Sequence, residues 1–588
     1  MEGVIAVVSA LMSGDNDQRR NAETYYNVQL VDNLMPTLES LIRILGNNSL
    51  DIVVRSMAGI LLRRAIERNS SNLNADATKL MREALIQIWI TENSTILLKR
   101  LAHAVAQSAS GSPWPDLLPS IIGHANRNAS KTILISTLNL VEVIAEYCPD
   151  DISSNLQLVG SFLASMIANV DNDIQVACAR SVGSCIVAIE EDTSRNIFKP
   201  ALQPIIAILG EALSRGDESD AVSIMESLVV VAQIQPVFFK EAIDSVVSAM
   251  LTVAGSVSLE FPTRSLAVEL MVTFTETAPA LARRCTGLAK ELIPLCMSLA
   301  LEVDDDHDEW IRGKYTEEPE DENNCVGEEA IERAAAGMGG RVVAQPLLPI
   351  AHQYATHSDW RYRRAAIAGL SRFAEGATEQ FKQYIPQTIV TLSSALVDSS
   401  PRVKYEAIQA IGQFATLFPL RIPDLIEAFL PALIVLLGDA STCDKVRGHA
   451  ASAMISLINP ENCEADTLTT HLEPLLNALV VCLKYAALEV QPQCLVLLGC
   501  AAQVAEEAFV PYYSSFMPGV KNILMTATSP DRGILRGKAM ECVGLIGEAV
   551  GAEVFSNDAL EVMHLLIGAM GQDDDITFDY ILPACGRI

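Results

Sequence analysis

VKYEAIQAIGQF at residues 403–414 and VRGHAASAMISL at 446–457 carry the same five-point pattern. Apolar or small residues stand at positions 0, 4, 7, 8 and 11, which form one stripe along an α-helix. In the first copy they are Val403, Ala407, Ala410, Ile411 and Phe414. In the second they are Val446, Ala450, Ala453, Met454 and Leu457. Working outward, the spacing recurs as Val54, Ala58, Leu61, Leu62, Ala65; as Ile174, Cys178, Ser181, Val182, Cys185; and as Ala221, Met225, Leu228, Val229, Ala232. It recurs again as Tyr362, Ala366, Gly369, Leu370, Phe373 and as Leu535, Ala539, Cys542, Val543, Ile546. Weaker copies start at Gln18, Leu97, Ile133, Thr263, Gly327 and Cys494. A second apolar helix is expected upstream of the copies, as at 386–396 and 425–437. Asp51, Asp171, Asp359, Asp398, Asp439 and Asp531 precede copies and are expected to cap helix N-termini.

A helix pair returning every 40 or so residues is the mark of a HEAT or armadillo array, whose pairs bury their apolar faces only by stacking. The expected fold is therefore all-α: a HEAT-repeat α-solenoid, a superhelix of about 13–14 antiparallel helix pairs. A fourteenth stripe is expected at Phe578, Leu582, Cys585 and Gly586. Its last position falls beyond Ile588, so the chain is expected to be part of a longer one.

Composition narrows the function. Of 588 residues, 50% are hydrophobic and only 5% aromatic, which suits long aliphatic helices. The thirteen cysteines include no Cys-x-x-Cys pair and several lie on the stripe, so they read as small hydrophobes. No P-loop, GxGxxG, G-x-S-x-G or HExxH motif occurs. Neither an enzyme nor a cofactor or metal protein is expected. No apolar run of the roughly 18 residues needed for a membrane span stands out, and no basic region precedes the apolar residues 4–12. The net charge of −30 should repel nucleic acid and anionic membranes and attract basic partners.

That charge is uneven. The anchors at Thr263 and Gly327 stand 64 residues apart, so about 23 residues are inserted in the turn of the eighth repeat. Between 302 and 329 lie Glu302, Asp304, Asp305, Asp306, Asp308, Glu309, Glu317, Glu318, Glu320, Asp321, Glu322, Glu328 and Glu329, against only Arg312 and Lys314. Such a density repels itself and is expected to form a flexible electrostatic arm rather than core. The expected organisation is N-terminal repeats over 1–301, an acidic insertion over 302–326 and further repeats over 327–588.

Several stretches, in order and in repeat phase, carry a family resemblance. They are RNAETYY at 20–26, LLRR at 61–64, WPDLLP at 114–119, DEW at 308–310, AGMGG at 336–340, DWRYR at 359–363, SPRVKY at 400–405 and LRGKAMEC at 535–542. With the acidic insertion, they resemble the karyopherin-β (importin-β) nuclear transport receptors, and among them the importin beta-3 branch. His307, Arg312 and Lys314 depart from that branch's acidic segment. The resemblance implies a shuttling import receptor, monomeric, moving between cytoplasm and nucleus. Basic cargo, such as ribosomal proteins, would bind the concave face of second helices. Phe-Gly nucleoporins would meet the first helices, and Ran-GTP would release cargo. It places Ran at Arg63, Arg64 and the acidic residues Asp304, Asp305, Asp306, Asp308, Glu309, Glu317, Glu318, Glu320, Asp321 and Glu322. It places cargo at Trp360, Glu375, Asp398, Glu406, Asp439, Glu506, Glu541 and Glu548. Two other readings stand beside it: a HEAT-repeat scaffold subunit of a protein phosphatase, and an export receptor of the same superfamily.

Overall fold

A computed structural model describes residues 2–69, 72–128, 130–285, 287–304, 306–313, 323–461, 463–569 and 575–587. Helices and short 3-10 turns account for the regular structure, and no strand occurs among the described residues.

The stripe explains why these helices stack. Every residue of the seven full copies is buried except Val54 and Tyr362, which are half-buried. Each copy lies on the second helix of a pair, for example Ile52–Asn69 behind Leu34–Leu45, or Pro401–Leu417 behind Ile385–Leu396. Second helices also pack against the second helices of neighbouring repeats, so one apolar face serves a partner within the repeat and others across it.

A polar device recurs beside the apolar one. The residue after the first stripe position is Arg or Gln in several copies, and its side chain reaches back to carbonyls near the end of the preceding helix. Arg55 donates to the Leu45 carbonyl at 2.9 Å, Gln175 to Asn169 at 2.7 Å, Arg264 to Ala254 at 3.0 Å, and Arg447 to Asp439 and Thr442 at 2.9 and 3.0 Å. The last carbonyls of a helix have no partner within it and carry partial negative charge, so a guanidinium there satisfies both needs.

The helices divide into two compact units, Met1–Thr286 and Gly287–Ile588. In the first unit the paired helices run from Glu2–Leu11 with Asn16–Asp32 to Ile243–Gly255 with Phe261–Thr277. In the second they begin with Leu288–Leu299 and Asn324–Met338, the two helices on either side of the acidic insertion. These two touch at Gly327, where a Cβ would lie 2.4 Å from the Cys296 carbonyl oxygen. Only glycine lets the backbones approach that closely. The eighth repeat's first helix, Leu288–Leu299, falls in the second unit.

Three local expectations change. Asp51, Asp171 and Asp359 do accept backbone N–H bonds at helix starts. Asp398 and Asp439 do not cap: the helix after Asp398 is capped at Ser400, and Asp439 closes the end of Ile422–Gly438. The fourteenth stripe is shifted by one residue. Ile581 and Ala584 are buried on Asp575–Arg587 while Leu582 is exposed. Finally, Asp192–Arg215 and Gln491–Thr526 are long and apolar enough to cross a membrane by length and composition. Each is assembled from two helices around a 3-10 turn containing Pro200 or Pro511, and the second is broken at Glu506.

Candidate functional site

The acidic insertion is the feature on which sequence and structure differ most. Its described part does not hang free. Asp306 caps a short helix, His307–Arg312, by accepting the Glu309 N–H at 2.8 Å. This helix delivers Trp310 into a basic aromatic nest on the second helices of repeats ten and eleven. Trp310 is 8% exposed. Its ring meets Tyr405 edge-on at 5.3 Å, with the Arg402 guanidinium 5.4 Å and the Lys445 ammonium 4.8 Å from its centroid. Arg402 also donates to the Asp304 and Asp306 carbonyls at 2.7 and 3.3 Å. Net composition hid this anchor: one tryptophan over two cations outweighs the mutual repulsion of the neighbouring acids. Asp304, Asp306, Asp308 and Glu309 themselves remain exposed. Asp305, Glu317, Glu318, Glu320, Asp321 and Glu322 lie outside the described residues.

Beside the anchor, charges on three successive second helices bind one another. Arg364 reaches Glu328 at 2.9 Å and Glu406 at 3.2 Å, linking repeats eight, nine and ten. Asn324 donates to Glu328 at 2.9 Å. Glu406 is therefore buried and engaged inside the chain. The other cargo candidates differ in how free they are. Glu375 pairs with Arg372 at 2.9 Å. Burial pushes its carboxyl up against the downward pull of Arg372, and nearby Glu332 adds to the rise. Asp398 holds Arg363 through both oxygens at 2.6 and 2.8 Å. Burial raises its pKa, but the Arg363 hydrogen bond and the Ser400 N–H outweigh it, leaving Asp398 below the usual carboxylate range. The Ser441 N–H and hydroxyl, at 2.9 and 2.8 Å, hold exposed Asp439 low as well. Glu541 contacts Lys538 at 3.2 Å. Glu548 is exposed. Glu506 is exposed at the end of Gln491–Ala505, with φ of 47°. Trp360 is half-buried at the start of its helix, with Arg402 5.2 Å and Arg361 6.0 Å from its ring.

In the first unit, Arg64 is exposed, whereas Arg63 is half-buried and donates to the Tyr147 hydroxyl at 3.1 Å. Arg63 lines a small cleft with Arg100 and His103. Burial, then the Arg63 charge, pushes the His103 imidazole below its ordinary value. A cleft of about 760 Å³ opens between repeats three and four at Trp114, over which Arg82 stacks at 4.9 Å. None of the expected binding residues lines it.

Sequence reasoning missed the Trp310 nest and the Glu328–Arg364–Glu406 bridge. A signal existed for the first: Arg402 and Tyr405 are three residues apart and share a helix face.

Comparison with known proteins places this arrangement. The family pattern described as IPO5-like TPR repeats matches residues 96–249, the importin repeat matches 256–345, and a HEAT-like repeat matches 360–414. Importin subunit beta-3 of Saccharomyces cerevisiae is 28% identical over 615 aligned residues, which take in 100% of this chain and 55% of that protein. The chain belongs to the importin-β superfamily of karyopherins. A probable importin-5 homolog of Dictyostelium discoideum is 24% identical, again over 100% of this karyopherin and 55% of the relative. Crystallographic Kap121p superposes with a TM-score of 0.86 at 26% identity, covering 100% of the karyopherin and 56% of Kap121p. Kap121p bound to Pho4p gives a TM-score of 0.87 at 25% identity, with 100% and 57% covered. The karyopherin thus spans about half the length of the relatives it matches.

Proposed function

We propose that this karyopherin is a nuclear import receptor that holds Lys/Arg-rich segments of cargo along the second helices of repeats nine to thirteen. The observation that carries the reading is likeness over the whole chain to Kap121p, which has been solved bound to Pho4p, Ste12p and Nup53p. A net charge of −30 supports a basic partner. Within the candidate set, exposed Asp439, Glu506 and Glu548 are the acids best placed to meet incoming lysines. Glu375, Asp398 and Glu541 would have to share their charge with Arg372, Arg363 and Lys538. Glu406 acts through Arg364, and Trp360 offers a ring already flanked by arginine.

Ran-GTP is the proposed releasing partner, meeting exposed Arg64, with Arg63 behind it, and the acids of the insertion. Release by Ran requires that Ran and cargo weaken each other by the same factor, and a coupling of about 3 kcal/mol corresponds to roughly 150-fold. Phe-Gly nucleoporins are proposed to meet the first helices. There Val390, Val435, Val480 and Met525, each 45 residues after the last, are 48–67% exposed on four consecutive first helices. Such a receptor shuttles between cytoplasm and nucleus as a monomer.

Binding to Ran loaded with a non-hydrolysable GTP analogue, compared with GDP-loaded Ran, tests the proposal when a basic peptide competes. Selective binding that expels the peptide is expected. Selective binding that tightens peptide capture would make the protein an exporter.

A further inference from the structure

The cysteines read from sequence as inert hydrophobes, and burial supports that for most of them. Cys178, Cys185, Cys296 and Cys542 are buried, and burial is the main cause that drives their thiols upward, Cys296 to about 12. Cys482 and Cys494 are different. Cys482 lies three residues before the end of the first helix of repeat twelve, Ala465–Tyr485, and Cys494 sits in the first turn of the second, Gln491–Ala505. Their sulfurs stand 3.0 Å apart, with the Cys494 thiol donating to Cys482 Sγ. Both are buried, at 1% and 0% exposure.

We propose that Cys482 and Cys494 form a reversible dithiol–disulfide site that staples the two helices of repeat twelve under peroxide. A disulfide needs a sulfur separation of about 2.05 Å, so the two sulfurs must close by only about 1 Å. Both sulfurs lie beside the short turn 486–490, and oxidation requires local opening of that turn to admit peroxide. The Cys494 hydrogen bond favours the Cys482 thiolate and keeps Cys494 protonated. Cys482 is therefore the nucleophile. Its thiolate attacks one peroxide oxygen, the O–O bond breaks, and hydroxide leaves and takes up a proton as water. The resulting sulfenic acid is attacked by the Cys494 sulfur. The S–S bond forms, the S–OH bond breaks, and a second water leaves with the Cys494 proton. In all, two thiols lose two electrons and two protons to one hydrogen peroxide. A dithiol reductant reverses the change.

The test uses the full chain treated with hydrogen peroxide, alkylated with N-ethylmaleimide and digested without reduction. Mass spectrometry should find the Cys482 and Cys494 peptides joined and lighter by two hydrogens, before Cys178 or Cys185 is modified. Dithiothreitol should restore both as free thiols. In Cys494→Ser the link is lost and Cys482 is instead trapped by dimedone as a sulfenic acid. Recovery of both residues as alkylated thiols while other cysteines oxidise would overturn the proposal, as would a link formed only between chains. Because wild-type chain carries the main readout, failure of a variant to fold leaves the test intact.

Discussion

Trp310 shows how a single side chain reverses the behaviour expected of a charged segment. Thirteen acids in 28 residues predict an unattached arm, yet one indole held over Arg402 and Lys445 ties its first half down. Replacing Trp310 with Ala removes a buried aromatic side chain, a change worth about 3–5 kcal/mol where packing is tight. Amides of residues 306–313 should then exchange hydrogen at nearly unprotected rates while the helices on either side keep their protection. Unchanged exchange would show that the Asp304 and Asp306 carbonyl bonds to Arg402 suffice. Asp398 makes the second residue-scale prediction. Its folded pKa is depressed, so its contribution is complete above the ordinary carboxylate pKa near 4 and is lost as pH falls through the lower folded value. Asp398→Asn leaves Arg363 half-buried without its carboxylate, a loss of about 3 kcal/mol. Exchange across 356–363 should therefore rise roughly hundredfold at pH 7. Wild type, but not the variant, should lose protection there as the solution is acidified below pH 4.

At the scale of the helix pair, two features decide where the backbone can go. One is the Arg or Gln that follows the first stripe position and closes the preceding helix. It recurs as Arg55, Arg264, Arg363 and Arg447 at the same repeat position, a repetition the sequence reading did not pick up, and the acceptor carbonyls lie outside the stripe pattern. The other is glycine at crossing points. Gly327→Ala would set a Cβ 2.4 Å from a backbone oxygen that cannot rotate away. A cost of about 1–3 kcal/mol is expected. Limited proteolysis should then cut beside the insertion sooner than in wild type. Gly210→Ala, at an exposed position of Leu202–Arg215 with nothing within 4 Å of its Cβ, is the control. It should be neutral or stabilise by up to about 1 kcal/mol. Equal protease sensitivity of the two variants would mean that the eighth repeat relaxes around the added methyl.

For the molecule as a whole, charge and the exposed aliphatic row make separable predictions. Basic-peptide affinity should fall steeply as salt shortens the Debye length from about 10 Å at 0.1 M toward 3 Å at 1 M. A salt-insensitive affinity would argue against an acidic groove. Val435→Asp with Val480→Asp places charge on two neighbouring first helices, on side chains 67% and 48% exposed, so the fold should tolerate both. Binding of a Phe-Gly repeat peptide should drop severalfold, measured by titration, with peptide cargo unaffected. Loss of both activities together would point to damage to the helix stack.

The repeat could be read from the chain because its cause is local. A helix pair that cannot bury its own stripe must present the same five positions each time, and Val403 to Phe414 or Ile174 to Cys185 do so without reference to their neighbours. The insertion was legible for the same reason: it interrupts that period. What the pattern left open was which charges find each other. Glu406 and Glu548 look alike as acids on second helices, yet one is locked to Arg364 and the other faces solvent. Trp310 and its nest come from positions about 95 and 135 residues apart. Periodicity sets which face of a helix is apolar. Only the stacking of one repeat on the next sets which ions lie within 3 Å, because that distance depends on the angle and offset between helices rather than on the spacing within one.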